Sequence, residues 1–222
     1  MKKLILILVL LPFLSSAQEW SMGLRTVPQM NINLGSSPSG LSLVSTMSSS
    51  IGANYNFCYN LRSYYSHNKN SISFELLYQN YQMVFAHNSV ATSNVKYSFQ
   101  NIEIPILLHS RSDDYGIYGE AGAAYVNTLS QNVSTESIPV LHFTGSNVDA
   151  IIGFGLDQKL SKMLMLSVGA RAYYPLLNQV GNSNPQSAGD SQSSLHLLRT
   201  GVVLGMQYYF DYFHTNNHRR GR

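Results

Sequence analysis

The chain has 222 residues, 14 Lys and Arg against 11 Asp and Glu, a net charge of +3, a hydrophobic fraction of 44% and one cysteine, Cys58. One cysteine excludes an internal disulfide framework. So small a charge surplus, concentrated in Arg219, Arg220 and Arg222 at the very end, excludes the clustered basic face that nucleic-acid binding needs.

Residues 1–17 read as an export signal: Lys2 and Lys3, an apolar run from Leu4 to Leu14, then Ser15-Ser16-Ala17 as a small-residue cleavage site before Gln18. The run is too short to span a bilayer as a helix. Its removal takes two charges from +3 and leaves +1. No composition break divides the rest, and its length suits one all-β domain. We assign 18–213 to that domain and 214–222 to a polar basic tail.

Eight segments then alternate large apolar residues with Gly, Ser, Asn or charge, the period of two that describes strands with one apolar and one polar face. Segment one (19–31) sets Trp20, Met22 and Leu24 against Ser21, Gly23 and Arg25. Segment two (50–61) sets Ile51, Ala53, Tyr55, Phe57 and Tyr59 against Gly52, Asn54, Asn56 and Cys58. In segment three (71–85) Ile72, Phe74, Leu76 and Tyr78 oppose Ser73, Glu75, Leu77 and Gln79. Segment four (95–109) opposes Ile102, Ile104, Ile106 and Leu108 to Asn101, Glu103, Pro105 and Leu107. Segment five (115–129) has the weakest alternation, with Glu120 on its polar parity; segment six (147–158) alternates Val148 to Leu156 with Asp149, Gly153, Gly155 and Asp157. Segments seven (163–176) and eight (195–210) place Arg171 and Arg199 on their polar parity.

Longer polar connections follow the odd segments, near 32–49, 87–94, 130–146 and 177–194, and mostly shorter ones follow the even segments. Long external loops alternating with short periplasmic turns are the mark of an outer-membrane barrel. The expected fold is therefore all-β, an eight-stranded antiparallel up-and-down transmembrane β-barrel, with aliphatic residues toward lipid. Arg25, Glu75, Glu103, Glu120, Arg171 and Arg199 then form a structural polar network in the interior, because a one-residue slip would turn them toward hydrocarbon, where Arg costs roughly 2–4 kcal/mol. Eight strands leave an interior just wide enough for side chains to fill. Trp20, Phe57, Tyr59, Tyr208 and Phe210 share the outward parity near one rim, as an interfacial aromatic belt requires.

Three runs carry a resemblance. Phe74-Glu75-Leu76-Leu77-Tyr78, Asn101-Ile102-Glu103-Ile104-Pro105-Ile106-Leu107-Leu108 and Gly119-Glu120-Ala121-Gly122 resemble the ELLY, LEIPLLL and EAG signatures of the Bacteroidetes-type outer-membrane β-barrel family, which includes PorT-like proteins. The resemblance implies an OmpX/OmpA-like eight-stranded barrel in the outer membrane, mostly of unassigned activity. The chain departs from the pattern in the tail that follows Tyr208, Tyr209, Phe210, Tyr212 and Phe213, and in lacking a strongly basic segment after the fourth strand.

A search for chemistry yields no catalytic, metal or cofactor assignment. His214 and His218 have a chelating H-x3-H spacing but no third ligand beside them. His109 and Ser110 are adjacent on a strand and so point to opposite faces. Glu75, Glu103 and Glu120 could form an acid/base centre, but the arginines offer them a structural partner. The Gly153-Phe154-Gly155 and Gly119–Gly122 runs lie inside strands and are not phosphate loops.

The leading expectation is a non-enzymatic outer-membrane barrel whose external loops or rim contact an envelope or surface partner. Its other partners are outer-membrane lipid and the barrel assembly machinery, with no nucleic acid. A PorT-like accessory of an export system is one version of this. The rivals are an outer-membrane lipid-modifying enzyme, which needs a His/Ser pair on the outward rim, and a secreted lipocalin-like carrier, whose aliphatic residues would line the inside.

Overall fold

The computed structural model describes residues 19–34, 41–59, 68–87, 94–112, 115–134, 145–161, 163–177 and 197–210. The expected export signal and the expected basic tail lie outside these residues, as do the long stretch 178–194 and the centres of the other expected loops. The strands are β1 (Glu19–Asn33), β2 (Leu41–Tyr59), β3 (Asn68–His87), β4 (Asn94–Ser112), β5 (Ile117–Val133), β6 (Ser146–Lys159), β7 (Leu164–Pro175) and β8 (Leu197–Tyr209). Each pairs antiparallel with its sequence neighbour, and β8 returns to β1, closing the barrel. Closure leaves no unpaired edge, which hydrocarbon would penalise heavily.

Sidedness follows directly from parity. Leu24, Ile51, Leu76, Ile104, Ile106, Ile152, Phe154, Val202 and Leu204 are exposed on the outside, while Arg25, Glu75, Glu103, Glu120, Asp149, Asp157, Arg171 and Arg199 are buried within. An outward apolar run of about eight residues per strand, tilted by roughly 40°, rises about 20 Å, close to the ~25 Å band of barrels in lipid. Trp20 and Tyr208 lie on the outer surface at the end where β1 begins and β8 finishes. Phe210 stacks on Trp20 at 4.0 Å and meets Tyr208 edge-on at 5.0 Å. The Tyr59 side chain falls outside the described residues.

Short connections mark the same end. Gly116, with φ 67°, closes the turn from β4 to β5 through its amide to the Ser112 carbonyl at 3.1 Å. Leu160 and Ser161 both donate to the Leu164 carbonyl between β6 and β7. By the rule of short periplasmic turns this is the periplasmic end.

At the external end the strands run further than the alternation predicts. The serine-rich stretch from Leu41 is strand, not loop: β2 begins there, pairing with β1 as far out as Met30↔Met47 and with β3 out to Leu41↔His87. A register shift between Leu43 and Ser45 accommodates this, and a second shift at Gln100/Asn101 leaves Leu129 of β5 unopposed. On β3 and β4 in this extension the faces invert, whereas Met30, Ile32, Val44 and Met47 stay exposed on the outer face of β1 and β2. Tyr81, Met83, Phe85, Val95, Tyr97, Phe99 and Leu197 form a buried apolar cluster inside, while Asn80, Gln82, Lys96 and Gln100 face out. Above the lipid the outer face meets water, so burial drives apolar groups inward as in a soluble barrel. The interior is thus not polar throughout, as the sequence suggested; its external third is an aromatic core.

The inversion predicts opposite tolerance to charge. Ile104→Arg, in the belt, should destabilise the folded protein in lipid vesicles by roughly 2–4 kcal/mol, and Gln82→Arg, in the extension, by at most about 1 kcal/mol, as read from urea unfolding.

Candidate functional site

The inward side chains stack in layers. Nearer the periplasm, Arg25 of β1 and Arg171 of β7 are held between Glu75 of β3 and Glu120 of β5. Arg171 is bidentate on Glu75, with Nη1 to Oε2 at 2.8 Å and Nη2 to Oε1 at 3.1 Å, and its Nε donates to Glu120 Oε1 at 2.6 Å. Arg25 Nη1 pairs with Glu75 and stands 3.5 Å from Glu120 Oε2. None of these four side chains is more than 1% exposed. Two guanidinium groups against two carboxylates make this layer balanced.

The next layer outward is built on Arg199 of β8. Its Nη2 donates to Glu103 Oε1 at 2.9 Å and pairs with Asp149, and its Nη1 donates to Gln29 Oε1 at 3.2 Å. The guanidinium lies 4.5 Å from the centroid of the Tyr173 ring, whose hydroxyl accepts from Arg171 Nη1 at 3.2 Å. Tyr173 therefore joins the two ion clusters. An amide chain continues across the wall, from Asn101 Nδ2 to Gln79 Oε1 at 2.9 Å and from Gln79 Nε2 to Gln29 Oε1 at 3.1 Å. Val27, Leu107, Ala124, Ile151 and Val203 pack with Tyr173 in an apolar layer. All six residues singled out from the sequence are thus in the lumen, in two groups: Arg25, Glu75, Glu120 and Arg171 together, Glu103 and Arg199 apart.

Toward the periplasmic mouth, His109 stacks on Tyr118 at 4.6 Å, with Nε2 3.3 Å from Asp157 Oδ2 and Nδ1 3.8 Å from Glu120 Oε2. Ser167 donates to Asp157 Oδ1 at 2.7 Å. The serine hydroxyl faces the carboxylate and not the imidazole, so no base stands ready to activate it. His109 is buried and Ser110 exposed, on opposite sides of the wall. Among the described residues no group of three or more His, Cys, Asp or Glu is placed to hold a metal; His214 and His218 lie outside them.

Glycines make room for these long side chains. A Cβ on Gly155 would come within 2.7 Å of Tyr118 Cε1, one on Gly169 within 2.3 Å of Tyr118 Oη, and one on Gly153 within 2.6 Å of Glu120 Oε1. The inward Gly of β6 and β7 thus complements the bulky inward residues of β5. Sequence reading missed Gln29, Gln79 and Tyr173 as members of the network and missed the aromatic core above it. The signal for the core was present: apolar residues move from even positions in Ile72 to Tyr78 to odd ones in Tyr81 to Phe85, and the reverse between Phe99 and Ile102.

Comparison with known proteins agrees with this architecture. Residues 15–180 match the family described as outer membrane protein beta-barrel domain. The chain belongs to that family. As a member it is an outer-membrane protein, and its eighth strand, beyond the matched residues, completes the barrel against β1 and β7. No curated protein matches the sequence. Among solved structures it is similar to the outer membrane protein OprG from Pseudomonas aeruginosa, with 13% identity and a TM-score of 0.52 over 88% of this chain and 97% of that one. Neisserial surface protein A aligns at 9% identity and TM-score 0.44 over 86% and 97%. Ail, the attachment invasion locus protein of Yersinia pestis, aligns at 14% and 0.39 over 86% and 98%. At these identities the likeness to OprG establishes the fold.

The balanced layer sets a second expectation. Arg171→Met leaves two buried carboxylates facing one guanidinium and should cost about 3–5 kcal/mol in vesicle unfolding. Adding Glu120→Gln restores a one-to-one pairing and should recover part of that loss.

Proposed function

We propose that this barrel is a non-enzymatic, membrane-anchored scaffold whose lumen is plugged by its own side chains and whose external rim and loops bind an envelope or surface partner. The observation that carries the reading is the filled interior. Among the described residues two layers of ion pairs, an apolar layer and an aromatic core lie one above another, so passage of solutes would require breaking buried charge pairs, each a matter of several kcal/mol. The surface left for recognition is the wall of β2 to β5 that stands beyond the apolar belt, with Gln82, Lys96, Gln100 and Asn132 outward.

Among the described residues the lipid-modifying alternative finds no His/Ser pair on the outward rim, since His109 faces the lumen among carboxylates. The carrier alternative requires aliphatic groups inside at the level where Arg25, Arg171 and Arg199 stand. Acyl chains would contact the aliphatic belt. The assembly machinery would read the outward aromatics that close β8 onto β1, with Phe210 as an internal counterpart of a terminal aromatic. A role as PorT-like export accessory is one form that an envelope partnership would take.

Photo-crosslinking in intact envelopes tests the proposal. A crosslinking residue at Gln82 or Lys96 should give discrete protein or polymer adducts, and one at Ile104 only lipid. Reconstituted protein should show no stepwise current in planar bilayers. Steady conductance, or a lipid product that disappears when His109 is replaced, would contradict it.

A further inference from the structure

We infer that the external half of the lumen contains a binding site for a small organic ammonium ion, a primary amine carrying a short apolar chain. The site is a chamber of about 60 Å³ directly above the Arg199 layer, bounded by β3 to β6 with Arg199 reaching in from β8. One buried water needs about 10–15 Å³ measured this way, so the chamber admits roughly four to six non-hydrogen atoms. It lies where the wall steps down: β5 continues to Val133, while β6 begins at Ser146 opposite Asn127 and β7 ends at Pro175 opposite Asp149.

Charge and hydrogen-bonding capacity select the ligand. In the layer beneath, Arg25 and Arg171 match Glu75 and Glu120; here Glu103 and Asp149 share the single guanidinium of Arg199. With both acids ionised the chamber floor is one cation short, and a buried unpaired charge is costly; Asn147 Nδ2 donates to Asp149 Oδ1 at 2.9 Å but brings no charge. Independently, two lining side chains bring polar atoms that nothing among the described residues satisfies. Asn101 is 7% exposed and its Oδ1 has no hydrogen-bond partner; Tyr81 is 8% exposed and neither donates nor accepts through its hydroxyl. Glu103 Oε2, just below, is also without a partner.

Asn101 Oδ1 and the carboxylates are acceptors only, so the missing group is a donor, and an ammonium has three donors and no acceptor. The walls explain the rest of the ligand. Met83, Phe99 and Val126 line the chamber beside these polar atoms, an apolar surface that would host a short alkyl chain and that a bare metal ion would not use. A zwitterion is disfavoured because Arg199 already donates to Glu103, Asp149 and Gln29.

The test uses the full mature chain folded in detergent micelles with 13C-methyl methionine, titrated with n-butylammonium chloride and, separately, with n-butanol. The Met83 methyl signal should shift saturably with n-butylammonium and not with n-butanol. Asn101→Leu and Asp149→Asn should each weaken the interaction at least tenfold. Tyr81→Phe, which removes one oxygen and keeps the ring, should weaken it several-fold if the larger changes disturb folding. An unmoved Met83 signal, equal shifts from the neutral alcohol, or unchanged affinity in Tyr81→Phe and Asn101→Leu would overturn the inference and leave a chamber filled by water alone.

Discussion

The structure depends on one segregation: ionised side chains must face a narrow protein interior so that only hydrocarbon-compatible groups touch lipid. Hydrocarbon offers no partner to a guanidinium or a carboxylate, whereas the lumen offers each one the opposite charge a few ångströms away. Because strand side chains alternate, this single requirement fixes register across the barrel. A slip by one residue in β7 would send Arg171 to the membrane and Ala170 to the lumen, and the same holds for β8 with Arg199 and Leu198. Closure between β1 and β8 is then the consequence of eight registers agreeing, with Trp20 stacked on Phe210 at the seam.

The interior is laid out so that charge is not wasted on open water. Eight strands enclose little more space than their own side chains occupy, and the long residues Tyr118 and Glu120 of β5 are met by glycine on β6 and β7. Tyr173 sits between the two arginine layers and touches both. The aromatic core of the external extension covers these layers on the outer side. Its apolar atoms lower the local dielectric response, which strengthens the satisfied pairs and raises the penalty for an unsatisfied one. This is why the excess carboxylate beside the external chamber stands out against the balanced layer below.

Much of this was readable from the chain. The even positions Phe74, Leu76, Ile104 and Ile106 and the odd positions Glu75 and Glu103 already specify which face meets lipid. The three short motifs that carried the family resemblance each contain one lumenal glutamate, Glu75, Glu103 and Glu120, and all three are buried against arginine. Which arginine meets which glutamate was not readable, since Arg171 and Glu75 are separated by 96 residues and their meeting depends on the curl of the whole sheet. The external reach of β2 was hidden for a different reason. Its Ser-rich sequence from Ser42 to Ser50 has the composition of a loop, and only pairing on both sides makes it strand. The aromatic core was hidden by treating one parity as uniform along β3 and β4, although the environment outside those strands changes from lipid to water part-way.

Site-directed spin labels placed singly at residues 101–108 of β4, in protein reconstituted into lipid vesicles, test the segregation most directly. Collision with oxygen, which partitions into lipid, should be high at positions 102, 104, 106 and 108 and low at 101, 103, 105 and 107, with no access of a water-soluble nickel chelate to the even set. High chelate access at the even positions, or no alternation at all, would contradict the account.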